Sequence, residues 1–265
     1  MSWYLRLVGV VRVSNTADAW EPRAVGSRKA RTLLALLGAQ CDRTVPMPDV
    51  VDALWEGAPP REPEANVATL VSRLRGRFGQ DTIVGGRRGY RLGDSVHVDL
   101  HEAATQVLKA ERLLQDAQAA HGLLIAEKAM RLLDDGPVLT DHRTAPWAEQ
   151  ARDVQKALLR RSRHVAAECS LRTNAPRLAQ VLAETLVATD PLDEPAYRVL
   201  MRACVLANQP ARAVAAYQRL RMTLESSANR GPEQASRDLI CRILRPGPAH
   251  MSTSDMGSPV QHRRS

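Results

Sequence analysis

The 34-residue interval between Pro176, Ala179, Leu182, Leu186 and their counterparts Pro210, Ala213, Ala216, Leu220 constrains the fold more than any other feature of this chain. Residues three and four apart share one face of a helix, so each quartet reads as the inner stripe of a helix opened by proline at its first position. Such a helix pair cannot bury its stripe alone and needs stacked neighbours, and 34 residues is the tetratricopeptide period. Ala179 and Ala213 fall at close helix crossings, Pro191 follows a helix end, and Tyr197, Leu200, Cys204 and Tyr217 are expected to face inward. The segment "LLIAEKAMRLLDDGP" reads as an earlier, more divergent copy. The alternative is that alanine-rich hairpins recur by composition alone.

From Val98 to about Leu244 the chain reads as helix only, whereas the part before residue 94 mixes periods. The β-branched run at 5–13 predicts a strand, and "SNTADAW" predicts a turn-rich connection. Residues 27–40 form a first helix, with Ala30, Leu33, Leu34 and Leu37 at helical spacing. Pro48 and Asp49 open a second, with Val51, Leu54 and Trp55 inward. A third runs from Glu62–Glu64 to Phe78. At about 100° per residue it buries Val67, Leu70, Val71, Leu74 and Phe78 and turns Ala65, Thr69, Ser72, Arg73 and Gly76 outward, with Asn66, Arg75 and Arg77 on the flanks. Gly79 stops it, and "TIVGGRRGYRL" predicts two strands joined by a turn with Arg87 and Arg88 at its tip. Residues 94–97 are the boundary. The expected fold is mainly α: a winged helix-turn-helix with a small β-sheet and wing at 1–95, an all-α tetratricopeptide-like domain at 97–245, and a disordered tail at 246–265.

The formal charge of +8 and pI near 9.8 favour an acidic partner, nucleic acid or an anionic surface. No apolar run is long enough to span a bilayer and the N-terminus lacks a leader pattern, which favours a cytoplasmic protein over membrane binding. The four cysteines, Cys41, Cys169, Cys204 and Cys241, lie far apart and read as small core hydrophobes, with neither a zinc site nor a disulfide framework suggested. His97 and His101 could share a helix face but find no third ligand. No nucleophile elbow, phosphate loop, diagnostic carboxylate pair or cofactor motif is present, so neither catalysis, metal nor cofactor is expected.

The third helix and the hairpin together place six arginines and one acidic residue within 72–92. A basic helix followed by a basic hairpin presents two elements to one duplex. Thr69 and Arg73 point from the middle of the helix towards base edges, where arginine meets guanine O6 and N7. Ser72, Arg75 and Arg77 lie where the helix flank meets phosphates, and Arg87 and Arg88 reach the backbone or minor groove from the wing. Arg91 sits on the wing strand, and Tyr90 packs between wing and helix. The competing reading is a solvated helix face. The basic helix and basic tip, joined by a glycine stop and accompanied by an anchor at Trp55, weigh against it. A second basic stretch, 152–177, reads mostly as a solvated helix face, with contact to nucleic acid or a partner as the other reading.

"GSRKARTLLALLGAQCDRTVPMPDVVDALWEG", "VATLVSRLRGRFG" and "GYRL" resemble the winged-helix output domain of OmpR/PhoB-type response regulators. Joined to the helical half, they resemble the Streptomyces antibiotic regulatory proteins over residues 4 to about 245. The resemblance implies a bacterial transcriptional activator domain in the second half and activation of antibiotic or other secondary-metabolite gene clusters. It also implies side-by-side dimers on direct repeats in double-stranded DNA near the −35 region, recruitment of RNA polymerase holoenzyme, and a place at the nucleoid. Carried over, the base contacts fall on Thr69 and Arg73 and the phosphate contacts on Arg75 and the wing. Here the wing departs from the family pattern: its charge, at Arg87 and Arg88 between Gly86 and Gly89, is displaced towards the tip. The loop "EGAPPREPEAN", with Arg61 and Glu62, corresponds to a region that touches polymerase in the related family, or is a plain connector. With no receiver domain ahead of the winged helix and little chain after Leu244, a small stand-alone activator is expected. The runner-up is a helical interaction scaffold with a general anionic docking patch.

Overall fold

The computed structural model describes residues 2–15, 25–40 and 43–245; Cys41, most of the connection expected at 14–20 and the 246–265 tail lie outside the described residues. The fold is mainly α, with two three-stranded sheets in the first half. In the first sheet β1 (Trp3–Arg6) lies between antiparallel β2 (Arg12–Ser14) and parallel β6 (Val96–Val98). In the second, β5 (Gly89–Leu92) lies between β3 (Val45–Pro46) and β4 (Ile83–Gly86), both antiparallel to it. Three helices pack between them: α1 (Arg28–Ala39), α2 (Met47–Trp55) and α3 (Pro63–Phe78). The Ser27 side chain caps α1 by accepting from the Ala30 N–H, 3.3 Å away.

The strand expected over 5–13 breaks at its middle. Gly9 takes φ +78° beside the carbonyl of Asp135, and the Leu7 and Val8 N–H groups donate to the Asp99 carboxylate instead of a neighbouring strand. A local period-2 pattern cannot register a competing acceptor 91 residues away. The inward face of α2 also differs: Met47, Val50, Ala53 and Leu54 are buried, while Val51 and Trp55 are half-buried at its edge.

Seven helices follow: α4 (Asp99–Gln115), α5 (Ala119–Leu133), α6 (Glu149–Arg172), α7 (Pro176–Thr189), α8 (Glu194–Leu206), α9 (Pro210–Ala228) and α10 (Gln234–Leu244). The two quartets 34 residues apart are buried, apart from their leading prolines. The turns entering α5, α7 and α9 are alike. Ala117, Asn174 and Asn208 each adopt a left-handed conformation, φ 56° to 59°. The next N–H returns to the helix just ended, Gln118 to Leu113, Ala175 to Ser170 and Gln209 to Cys204, each at 2.8 Å. Asparagine tolerates that conformation, and two of the three turns use it.

Packing continues across the expected boundary at residues 94–97. One hydrophobic core runs from Leu5, Leu33 and Val67 into Leu100, Val107, Leu133 and Leu158 of the helical half, and a second fills the stack from Ala110 to Ile240. His97 lies on β6, its ring 5.2 Å from that of Tyr4, so it shares no helix face with His101 on α4. Cys169 and Cys204 are buried core residues, whereas Cys241 is exposed.

In the 152–177 stretch Arg160, Arg161 and Arg172 are exposed, as expected of a solvated face, and they also find partners within the fold. Arg160 bonds Asp193, Arg161 makes a two-pronged pair with Glu111, Arg163 meets Asp134, and Arg172 donates to the Leu114 carbonyl. Arg152 donates to the carbonyls of His142 and Arg143. These arginines fasten α6 to its neighbours on both sides.

Candidate nucleic-acid interface

Helix α3 starts with Pro63 at its first position, where the missing N–H costs no hydrogen bond, and Glu64 in its first turn favours the positive end. Val67, Val71, Leu74 and Phe78 are buried beneath it, and Leu70 is half-buried. Thr69, Ser72, Arg73 and Arg77 are exposed, with Thr69 and Arg73 one turn apart. The Thr69 hydroxyl donates to the Ala65 carbonyl at 2.9 Å, leaving its oxygen as an acceptor and its methyl for apolar contact. At the far end of the helix the Trp3 indole N–H donates to the Phe78 carbonyl at 2.5 Å, with its ring edge-on to the phenyl ring at 4.9 Å.

The wing is a two-residue hairpin. Gly86 pairs with Gly89, leaving Arg87 and Arg88 as the tip. Neither arginine has positive φ, and the flanking glycines absorb the strain instead: Gly85 at +126° and Gly89 at +152°. A Cβ on Gly85 would stand 2.2 Å from the Gly89 carbonyl oxygen, and one on Gly89 2.2 Å from that of Val45. The Met47 N–H donates to the Arg88 carbonyl at 3.2 Å, which fixes the tip against the start of α2.

Arg75 has a structural duty that the sequence reading did not give it. Its Nε donates to the Ile83 carbonyl at 2.9 Å and its Nη2 to that of Gly85 at 3.1 Å, and its guanidinium stands 6.0 Å from the buried Tyr90 ring. It straps the wing to α3. A guanidinium committed to two wing carbonyls is held by the fold before any phosphate arrives. The pattern R-F-G followed by a hairpin was the available signal, but only the geometry shows that the strand carbonyls face back to the helix flank.

Arg73, Arg77, Arg87 and Arg88 have no carboxylate partner among the described residues. Arg87 lines a hollow of about 580 Å³ between wing and helix, beside Glu62, Glu64 and Ala68. Arg61 and Glu62 are exposed on the α2–α3 connection, and the Glu62 carbonyl accepts from the Asn66 backbone N–H at 3.2 Å and side-chain amide at 2.9 Å. Lys29 of α1 places its Nζ 4.2 Å over the Trp55 ring, a contact absent from the sequence reading. The sequence-derived residues thus fall on one helix, its wing and the adjoining loop, with Arg75 turned inward.

A family model for the bacterial transcriptional activator domain matches residues 98–244, more than half of the chain. The chain belongs to this family. The proteins it resembles carry the names of regulatory and transcriptional regulatory proteins. Regulatory protein AfsR of Streptomyces coelicolor is 30% identical over 87% of this family member and 24% of its own length. Transcriptional regulatory protein EmbR of Mycobacterium tuberculosis is 29% identical over 86% of this chain and 60% of its own. A solved structure of Mycobacterium tuberculosis EmbR in complex with a low-affinity phosphopeptide superposes with a TM-score of 0.79 at 25% identity, covering 93% of this chain and 66% of that one. The chain therefore spans about a quarter of AfsR and about three fifths of EmbR. In this family member the matched domain begins within the last strand of the first sheet and runs through α10. Among the described residues no helix is long and apolar enough to cross a membrane.

Proposed function

We propose that this protein is a sequence-specific DNA-binding transcriptional activator whose α3 reads the major groove while the wing grips the adjacent backbone or minor groove. The observation that carries the reading is a cluster of cations without ion-pair partners. Arg160, Arg161, Arg202, Arg212 and Arg230 of the helical half each meet a carboxylate, while Arg73, Arg77, Arg87 and Arg88 stand together on one helix and its wing with no such partner among the described residues. Uncompensated cations on a protruding helix suit a polyanion of regular spacing. Thr69 and Arg73 supply base contacts; Ser72, Arg77, Arg87 and Arg88 supply phosphate contacts, with Arg75 holding the wing and adding to them at most from its remaining N–H groups. The winged helix at 1–95 is then the reader and the stack at 97–245 the activation domain, joined through one packed core. The family supports dimers side by side on direct repeats near the −35 region, recruitment of RNA polymerase holoenzyme and control of a secondary-metabolite cluster.

Selection from random duplexes, then titration of the best site at several salt concentrations, tests this. Arg73→Ala is expected to relax one base position at a cost of about 1–3 kcal/mol, and Arg88→Ala to weaken all sequences and lower the salt slope by about one. Selection that enriches no sequence, with both variants behaving alike, makes the arginines a general docking patch and favours the scaffold.

Replacing Arg61 and Glu62 together is expected to leave DNA affinity unchanged and to lower transcription in a reconstituted assay. Both side chains are exposed and neither is ion-paired among the described residues. Loss of DNA binding would assign the loop to the fold instead.

A further inference from the structure

The outer face of α2 carries Asp49, Asp52 and Glu56, all exposed and none paired with a cation among the described residues. They differ in this from Asp193, Glu194, Glu111, Glu168 and Glu184, each of which holds an arginine. Across from them the segment between α5 and α6 brings Thr144, Ala145, Pro146 and Trp147, and the two walls enclose an open groove of about 710 Å³. A second hollow of about 300 Å³ shares Asp49 and Trp147 and extends the groove past Pro46 towards Arg43. One wall is anionic and the other apolar.

The His142 ring stands 5.2 Å from the Trp147 ring. Burial lowers its pKa, with Arg28 and Arg31 acting in the same direction and Asp141 and Glu56 opposing them. The imidazole therefore supplies no lasting positive charge to neutralise the acidic wall near neutral pH.

We propose that the groove between α2 and residues 144–147 is a docking surface for an arginine- or lysine-bearing segment of a partner protein. The cation meets the α2 carboxylates, and an adjacent apolar side chain lies on Pro146 and Trp147. Charge complementarity selects the occupant: three carboxylates with no ion-pair partner among the described residues attract a cation, and an indole face adds a cation–π contact where water is partly excluded. The two connected hollows form a trough, which suits a stretch of chain better than one small ion. The groove shares no residue with Thr69, Arg73 or the wing tip, so this inference stands or falls apart from the DNA reading.

Short random peptides displayed on phage, selected against the full chain, would test it. The best peptide is then labelled and titrated against wild type, the double variant Asp52→Asn with Glu56→Gln, and Trp147→Phe and Trp147→Ala, with the selected DNA duplex measured in parallel. The expected outcome is enrichment of peptides joining arginine or lysine to an apolar residue, and binding about tenfold weaker in the double variant and weakened by added salt. Trp147→Ala weakens binding further and Trp147→Phe preserves much of it, while DNA affinity is unchanged in the double variant. Both carboxylates are exposed, so the double variant keeps its fold even where Trp147→Ala does not. Enriched peptides without cations, or binding indifferent to the double variant, overturn the proposal. Full competition by millimolar tetramethylammonium or arginine amide overturns it in favour of a small-cation site.

Discussion

Asp99→Ala is expected to lower the stability of the chain by about 3–5 kcal/mol at pH 4, the largest loss from any single side chain considered. Asp99 is 6% exposed and starts α4, yet its carboxylate accepts the N–H groups of Leu7, Val8 and Leu100 at 2.8–3.0 Å. Truncation leaves those three donors without a partner beneath the first sheet. Burial pushes the Asp99 carboxyl up to about 6, against the three N–H donors and Arg6, which favour the anion. A folded-state pKa above the unfolded 3.8 means that the native state holds the extra proton between those values. The stabilisation is complete below pH 4 and declines as pH rises through 6. The gap between wild type and Asp99→Ala should therefore shrink by about 2–3 kcal/mol between pH 4 and pH 7. Urea unfolding across that range measures it. A gap under 1 kcal/mol at pH 4, or one that widens towards neutrality, contradicts the account.

Glu194→Ala should cost about 3 kcal/mol at pH 7 and release α10. Glu194 is 1% exposed; one carboxylate oxygen accepts from Arg230 at 2.7 Å, the other from the Glu233 N–H at 2.8 Å and the buried Ser236 hydroxyl at 2.9 Å. Residues 230–236 are thereby tied to α8, and α10 follows them to bury Leu239 and Ile240. Arg230 is half-exposed and regains water on truncation, so the cost lies mainly in the orphaned N–H, the hydroxyl and the cavity. Burial raises the Glu194 pKa, but the three donors outweigh it and the carboxyl lies below its usual range. The pH dependence is thus opposite to that of Asp99: the stabilisation is present above the unfolded value of 4.5 and is lost as pH falls through the folded one. Hydrogen exchange should show α10 amides losing protection while α1 to α3 keep theirs. Unchanged protection of α10 would refute the tether.

Asp193 performs a similar service one residue earlier. Burial raises its pKa, but bonds from His164, Arg160 and the Ala196 N–H bring it well below the usual carboxylate range. It joins α6 to the start of α8, and the basic stretch of α6 finds its purpose there. A run of arginines on one helix looks the same in sequence whether its partners are phosphates, water or the aspartates of other helices. Spacing along one helix carries no information about carboxylates 29 to 50 residues away.

Much of the candidate interface was legible for the opposite reason. Thr69, Ser72, Arg73 and the tip arginines depend on helix period, a glycine stop and a two-residue hairpin, all of which act over a few neighbours. The faces of α3 and the buried quartets of α7 and α9 followed from the same local geometry. The inner face of α2 was misplaced because a nine-residue helix leaves its register to whatever packs against it. Likewise Cys241 reads in sequence as a small core hydrophobe but is exposed on α10.

The sequence by itself determined the helical period, the 34-residue repeat, the stop after α3 and the concentration of unshared charge on one helix and its wing, because each arises from interactions within a turn or two of chain. Only the tertiary structure decided that Arg75 straps the wing, that Asp99 sutures the first sheet to α4, that the arginines of α6 are braces, and that an acidic wall on α2 faces Trp147. Those outcomes depend on which distant donor and acceptor arrive at the same place, and burial sets their strength; neither can be read from residues that are neighbours only in sequence.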